Sequence, residues 1–262
     1  MNLTEIIKNM HETPSKENNI AFTDKFRQMV DNNDQVYTAV KKQGTGYAID
    51  TAEHTGNVYV VMFSDSGMAK TKDGSAMATI GLANLIKSCY SNPHIMGVCI
   101  NPYDEHPVYM QRKDLQIMSG IEDPRLKERN WGEGIPEYTD ADIMVAEEAV
   151  DFAMEFIAAK ALESEGFELV ESNNGLTAFP NFVLKKDDQL YFVAVDVALA
   201  PKVPNLKSEV KDKIVEIGNA YNAKVLYAPV SFASSDPERA EKGLALVGDE
   251  FIGQFIGFVM LN

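Results

Sequence analysis

The chain is poor in cysteine, tryptophan, histidine and positive charge. Two cysteines in 262 residues, Cys89 and Cys99, are too few for a disulfide framework and fit a reducing compartment. The four histidines, His11, His54, His94 and His106, form no pair at helical spacing and no HExxH, so no metal is expected. No apolar run reaches the ~18 residues of a membrane span, and the segment from Met1 to Asn9 lacks the core of a secretion signal. No membrane association and a cytoplasmic location are therefore expected. Lys and Arg number 24 against 39 Asp and Glu, a formal charge of −15. Such a chain repels a phosphate backbone at long range, which argues against nucleic acid as a partner. No cofactor loop is found either. Gly44-Thr-Gly46 lacks the Lys-Ser/Thr of a phosphate loop, and Ser64-Asp-Ser-Gly67 is no nucleophile elbow.

What is present reads as α+β in two domains. The first twenty residues are polar, with a loop from Thr13 to Asn19. Thr23 or Asp24 then caps a helix carrying Phe26, Met29 and Val30 on one face. Strands are expected at Gln35–Val40, Asn57–Phe63, His94–Ile100 and Val108–Gln111, with a helix over Ser75–Tyr90 and another near Asp114–Met118. These elements make a small mixed-sheet α+β domain over residues 1–122. Residues 123–138, rich in Gly, Pro and charge, read as a linker. Trp131, the one tryptophan, lies inside it and reads as an anchor on an interdomain surface.

The second domain, 139–262, opens with a long amphipathic helix marked by Val145, Ala149, Phe152, Phe156, Ala159 and Leu162, closed by Gly166. Three strands follow: Phe167–Val170, Asn181–Leu184 and Leu190–Leu199. Lys185-Lys-Asp-Asp-Gln forms the hairpin turn between the last two. A helix over Leu206–Tyr221 and a buried strand, Lys224–Pro229, come next. Asp236-Pro-Glu opens a further helix, and Asp249 another before the apolar run of Phe251, Ile252, Phe255, Ile256, Phe258 and Val259. That run reads as core, with a subunit contact, and so a homo-oligomer, as the alternative. Lys207, Lys211 and Lys213 sit among acids and read as a solvated face.

The first half resembles the N-terminal domain of the bacterial SseB family, the "enhanced serine sensitivity" proteins. The resemblance is carried by Val58-Tyr-Val-Val-Met-Phe-Ser-Asp, Gly97-Val-Cys-Ile-Asn-Pro-Tyr-Asp and Val108-Tyr-Met-Gln-Arg-Lys-Asp-Leu. Asn101 and Pro102, the turn after the apolar strand, are its most specific residues. It implies an α+β fold and assigns no catalytic residue.

The second half is similar to the PD-(D/E)xK nuclease-like superfamily, with a restriction-endonuclease-like α/β fold over about Val145–Pro229. In that pattern a helical Glu precedes a strand Asp and a Glu-x-Lys on the neighbouring strand. Glu155 stands at the helical position and Asn181 where the Asp belongs, with Ala194 and Asp196 in place of the Glu and the Lys. Such a nuclease needs two carboxylates on a divalent cation and a lysine near the attacking water. Asn181 is neutral, Ala194 offers no ligand, and no lysine falls at its position. From Glu133 to Glu171 the chain is dense in acids, among them Glu147, Asp151, Glu163, Glu165, Glu168 and Glu171, with Lys160 as the basic residue set against them. The expectation is a kept fold with a lost active site: no catalytic residues, and a binding or scaffolding role toward a protein partner whose surface is basic. The competing expectation is a divergent metal-dependent nuclease using Glu155 and Asp196.

Overall fold

The computed structural model describes residues 1–72, 74–162 and 165–262, without the side chains of Lys160 and Ala161. Glu163 and the Lys160 side chain, both counted in the acidic stretch above, therefore lie outside the described residues. The chain is α+β and divides into two compact units, Met1–Lys127 and Glu128–Asn262.

The polar N-terminus of the first unit is helical. α1 (Leu3–Glu12) is capped by Asn2, with Glu5 closing a capping box. α2 (Lys16–Asp31) is capped by Ser15. The expected start at Thr23 or Asp24 is thus eight or nine residues late. Ser15 was hidden in a Pro-Ser-Lys-Glu segment that reads as a loop, and Thr23 lies inside the helix. β1 (Gln35–Gln43) pairs with β2 (Gly46–Ile49) and along seven residues with β5 (Ser75–Gly81). The expected helix over Ser75–Tyr90 is therefore only its second half, α3 (Leu82–Tyr90). Here a long cross-strand ladder overrides a loose helical spacing. β3 (Thr51–His54), β4 (Asn57–Met62), β6 (Ile95–Ile100) and β7 (Val108–Gln111) form a second sheet with β4 and β6 parallel, and α4 (Arg112–Ser119) follows. A Cβ at Gly97 would stand 1.8 Å from the Met110 carbonyl oxygen. β6 and β7 reach their spacing only with glycine there.

One face of this sheet, with Val60, Met62, Val98 and Ile100, packs against Leu3, Phe26, Leu82, Leu85 and Ile86 from the helices. Burial of each such side chain contributes about 1.5–3 kcal/mol. Two charged groups pin the unit. Asp50, between β2 and β3, accepts from Lys41 Nζ at 3.0 Å, Ser75 Oγ at 2.9 Å and Thr51 N at 2.9 Å. Its backbone joins both sheets through Ala39 O and Val61 N. Burial works to raise the Asp50 carboxyl, but those hydrogen bonds and the Lys41 charge outweigh it and hold the group below its ordinary value. Arg112, buried at the start of α4, meets Asp123 with Nε–Oδ2 at 2.5 Å and Nη2–Oδ1 at 2.9 Å. Its remaining donors reach the carbonyls of Tyr90, Asn92 and Ile95.

In the second unit, α5 (Ala146–Ile157) widens into a π-helical turn, Ala158–Leu162. Its buried face is Ala153, Met154 and Ile157, whereas Ala159 is exposed. β8 (Glu168–Ser172), β9 (Phe182–Lys186), β10 (Gln189–Leu199), β11 (Lys224–Ser234) and β12 (Phe251–Phe255) stand in the order β12-β11-β10-β9-β8, with β13 (Val259–Met260) also on β11. Asp187 and Asp188 both take positive φ, as a two-residue hairpin turn requires. α6 (Ser208–Ala220) lies between the parallel strands β10 and β11 in sequence. A Cβ at Gly218 would fall 2.2 Å from Val225 Cγ2, so glycine lets this helix sit close on β11. Asp236 caps α7 (Pro237–Lys242), as expected.

The segment after Asp249 is a strand, not a helix. Asp249 is held by Arg239, whose Nε lies 3.0 Å from Oδ2, and the residues beyond it pair with β11. The aromatic residues Phe251, Phe255 and Phe258 of the terminal run are partly buried, while Ile252 and Ile256 are 66% and 73% exposed. The boundary between units falls inside the segment read as a linker. Asp123 belongs to the Arg112 cluster, whereas Gly132 and Gly134 offer carbonyls to Arg239 and Trp131 Nε1 donates to Val247 O at 3.0 Å.

Two stability outcomes are expected. Asp123→Asn leaves a buried guanidinium without its counter-charge, and urea denaturation at pH 7 should show a loss of about 3–5 kcal/mol. Asp50 titrates lower in the folded state than in the unfolded one. Its contribution is therefore full above the unfolded value of about 4 and fades as pH falls through the lowered value. Asp50→Asn should cost about 1–3 kcal/mol at pH 7, and the difference from the parent should shrink in denaturation curves taken below about pH 4.

Candidate functional site

Side chains leave a strand to alternate faces, and β10 separates the nuclease-like positions on that basis. Val193, Val195 and Val197 pack with Ala153, Met154 and Ile157 of α5. Ala194 turns the other way, buried against Ile214 of α6 and Val225. Asp196, two residues on, shares the face of Ala194. Glu155 lies on α5, exposed, across the sheet from Asp196. The two acids therefore do not converge.

Asp196 faces a tyrosine instead of a cation. Tyr227 stands beside Ala194 in the parallel ladder, and its hydroxyl donates to Asp196 Oδ2 at 2.8 Å. Burial first, then the Asp196 hydrogen bond and charge, push the phenol well above its usual range, so it stays a protonated donor.

Asn181 occupies the Asp position for a structural reason. It is 5% exposed, just before β9. Its Oδ1 accepts from Val195 N at 2.8 Å and its Nδ2 donates to Asn173 O at 3.1 Å. Its backbone N donates to Val193 O and its carbonyl accepts from Asn173 N, each at 2.8 Å. The side-chain amide continues the β9–β10 ladder past the end of the strand and ties down the segment after β8. One amide satisfies a donor and an acceptor at once, which a carboxylate cannot do.

Asn101, the residue that best carries the SseB-like pattern, has a similar task in the first unit. Buried and at φ 54°, it accepts Ser64 N and donates to Ser64 Oγ, each at 2.9 Å. That clamps the end of β4 to the end of β6, while Pro102 is half-buried in the turn beyond. The Ser64 and Thr4 hydroxyls lie 2.6 Å apart, and Thr4 also donates to Asp65.

The other motifs stay dispersed. Among the described residues no three His, Cys, Asp or Glu side chains gather in a way that could hold a metal ion. His11 stacks on His106 with centroids 4.7 Å apart, and His54 stacks on Tyr109 at 4.2 Å. Cys89 and Cys99 are free and buried. Burial raises each thiol to about 12, which leaves both protonated and unreactive at neutral pH.

A notch of about 310 Å³ opens on the α6 face of the second unit's sheet, where the helix stops covering β8 and β9. Phe192 of β10 forms its buried floor, and Phe179, Pro180, Val183, Ile217 and Tyr221 form its walls. Phe179 meets Phe192 edge to face with centroids 6.1 Å apart, and Tyr221 tilts over Phe192 at 5.7 Å. Glu171, Ser172 and Asn173 supply the polar rim. Sequence reasoning passed over these residues. Phe179, Phe192 and Tyr221 come from three separate elements, and no local spacing links them.

A family model described as "Domain of unknown function (DUF8840)" matches residues 147–261. The match spans the notch and all four nuclease-like positions. Comparison with curated proteins gives no match.

An acid in place of Asn181 should weaken the fold. In Asn181→Asp the Nδ2 donor is replaced by an oxygen facing the Asn173 carbonyl. The expected loss is about 1–3 kcal/mol in urea denaturation at pH 7.

Proposed function

We propose that the chain is a non-catalytic cytoplasmic binding or scaffolding protein that engages a protein partner. The observation that carries this reading is the separation of Glu155 and Asp196 onto opposite sides of the sheet, with the Asn181 amide committed to the ladder between them. A hydrolytic site of the nuclease type needs its acids on one side of the sheet, around one cation. Here the strand positions that would bear them hold a packed alanine, a structural amide and a tyrosine-bonded aspartate. The charge of −15 disfavours a polyphosphate partner and favours one with a basic surface.

Several further features support the reading. Among the described residues no helix is long and apolar enough to cross a membrane. The buried, protonated thiols suit a reducing compartment. The SseB-like pattern of the first unit rests on structural residues such as Asn101 and Gly97, which suits a scaffold. The exposed Ile252 on β12, at one edge of the sheet, and Ile256 just beyond that strand suit self-association as well.

Two experiments test it together. The tagged chain, recovered at native abundance from the cells that make it, should bring down a partner protein in fixed ratio; recovery of the chain alone would count against the proposal. Purified chain with plasmid DNA and Mg²⁺ or Mn²⁺ should leave the DNA intact. Cleavage that disappears in Glu155→Ala and Asp196→Ala would replace the proposal with a divergent metal-dependent nuclease.

A further inference from the structure

We infer that β8 and the adjoining aromatic notch form a docking site for an extended, arginine-bearing segment of the partner protein. This rests on the binding role proposed above and adds where the partner docks and by what chemistry. β8 is the outermost strand of its sheet, no further strand pairs with it among the described residues, and each of its five residues is exposed. An open edge of this kind offers backbone donors and acceptors to an incoming strand. It has no lysine and no proline, and its apolar Leu169 and Val170 stand at 48% and 57% exposure, with a bulge between Leu169 and Glu171.

The side chain to be recognised follows from the register. Glu171 pairs with Val183 and Val183 with Phe192, so these three form a row across the α6 face, from the open edge to the floor of the notch. The next position in that row, about 5 Å beyond Glu171, belongs to whatever strand joins β8. A long side chain there lies across Glu171 and Val183 toward the rings of Phe179, Phe192 and Tyr221. The Glu171 carboxylate is exposed and has no ion-pair or hydrogen-bond partner among the described residues. Lys185, a cation on that face, is paired with Asp188 at 2.9 Å. Glu168 shares the face through its pairing with Lys185. A carboxylate beside three aromatic rings selects a guanidinium, which donates two parallel hydrogen bonds to a carboxylate while its flat face stacks on a ring. The net charge of −15 draws a basic segment to this edge and repels an acidic one.

The test uses the full chain and fluorescence anisotropy with a labelled heptapeptide that alternates valine and threonine around one central arginine. Saturable binding is expected, weakened about tenfold or more when citrulline replaces the arginine, since citrulline keeps the shape and removes the charge. Tyr221→Ala and Glu171→Gln should each weaken binding about tenfold. Both side chains are exposed, Tyr221 at 68%, so unchanged thermal melts are expected in these variants. Equal affinity for the arginine and citrulline peptides would overturn the inference. So would binding that both variants leave untouched, or no binding up to millimolar peptide. A partner that still co-purifies with the Tyr221→Ala, Glu171→Gln double variant would overturn the docking site and leave the binding role standing.

Discussion

The parallel pairing of β10 with β11 is the constraint on which the second unit depends. Nine registered pairs, from Tyr191 beside Lys224 to Leu199 beside Phe232, hold β10 in one orientation between two helical faces. Once its valines are committed to α5, every even-numbered residue from Phe192 to Asp196 must face the other way. Three consequences follow from this one commitment. Asp196 meets Tyr227 and not Glu155, Ala194 fills a contact with α6 where an acid would be unpaired, and Phe192 becomes the floor of a notch. A residue's chemistry matters only on the face to which the pleat delivers it.

The same economy of polar groups runs through both units. Arg112 and Arg239 are buried at 5% and 3% exposure, yet each is surrounded by acceptors. Arg112 has Asp123 and three carbonyls, and Arg239 has Asp249, Ser234 and the carbonyls of Gly132 and Gly134. A guanidinium has five donors in a rigid plane, so it can join several chain segments at one point. These arginines hold strand ends and connecting segments where no ladder reaches. Asn181 and Asn101 do so on a smaller scale, each with one amide. Charge and amide chemistry that resembles site chemistry in a linear sequence is, in this protein, largely the means by which irregular segments are fastened.

Much of the fold was legible from local pattern. β4, β6, β7 and the β9–β10 hairpin stand within a residue or two of where alternation and turn residues put them, and Asp236 caps α7. The failures share a cause. Ser75–Gly81 has a spacing that suits a helix until β1 is laid beside it, and Phe251–Phe255 is a strand because β11 presents an edge to it. On α5 the expected stripe holds in part: Phe152 packs on Phe232 and Phe251, Phe156 packs against the buried core and Leu162 lies within it, while Ala159 is exposed. α1 and the first part of α2 were missed for a different reason: their stability rests on caps at Asn2 and Ser15 and on a few apolar side chains in otherwise polar sequence.

The amino-acid sequence by itself determined the acidity of the chain, its lack of a membrane-length apolar run, the positions of its most regular strands, and the absence of a Glu-x-Lys at residues 194–196. These are properties of composition and of neighbours along the chain. Only the tertiary structure decided that Glu155 and Asp196 lie on opposite faces, that Asn181 serves the ladder, and that Phe179, Phe192, Tyr221 and Glu171 share a notch. The reason is that register and face are set by contacts between segments far apart in sequence. A shift of a single residue in that pairing would move every side chain of the strand to the other side.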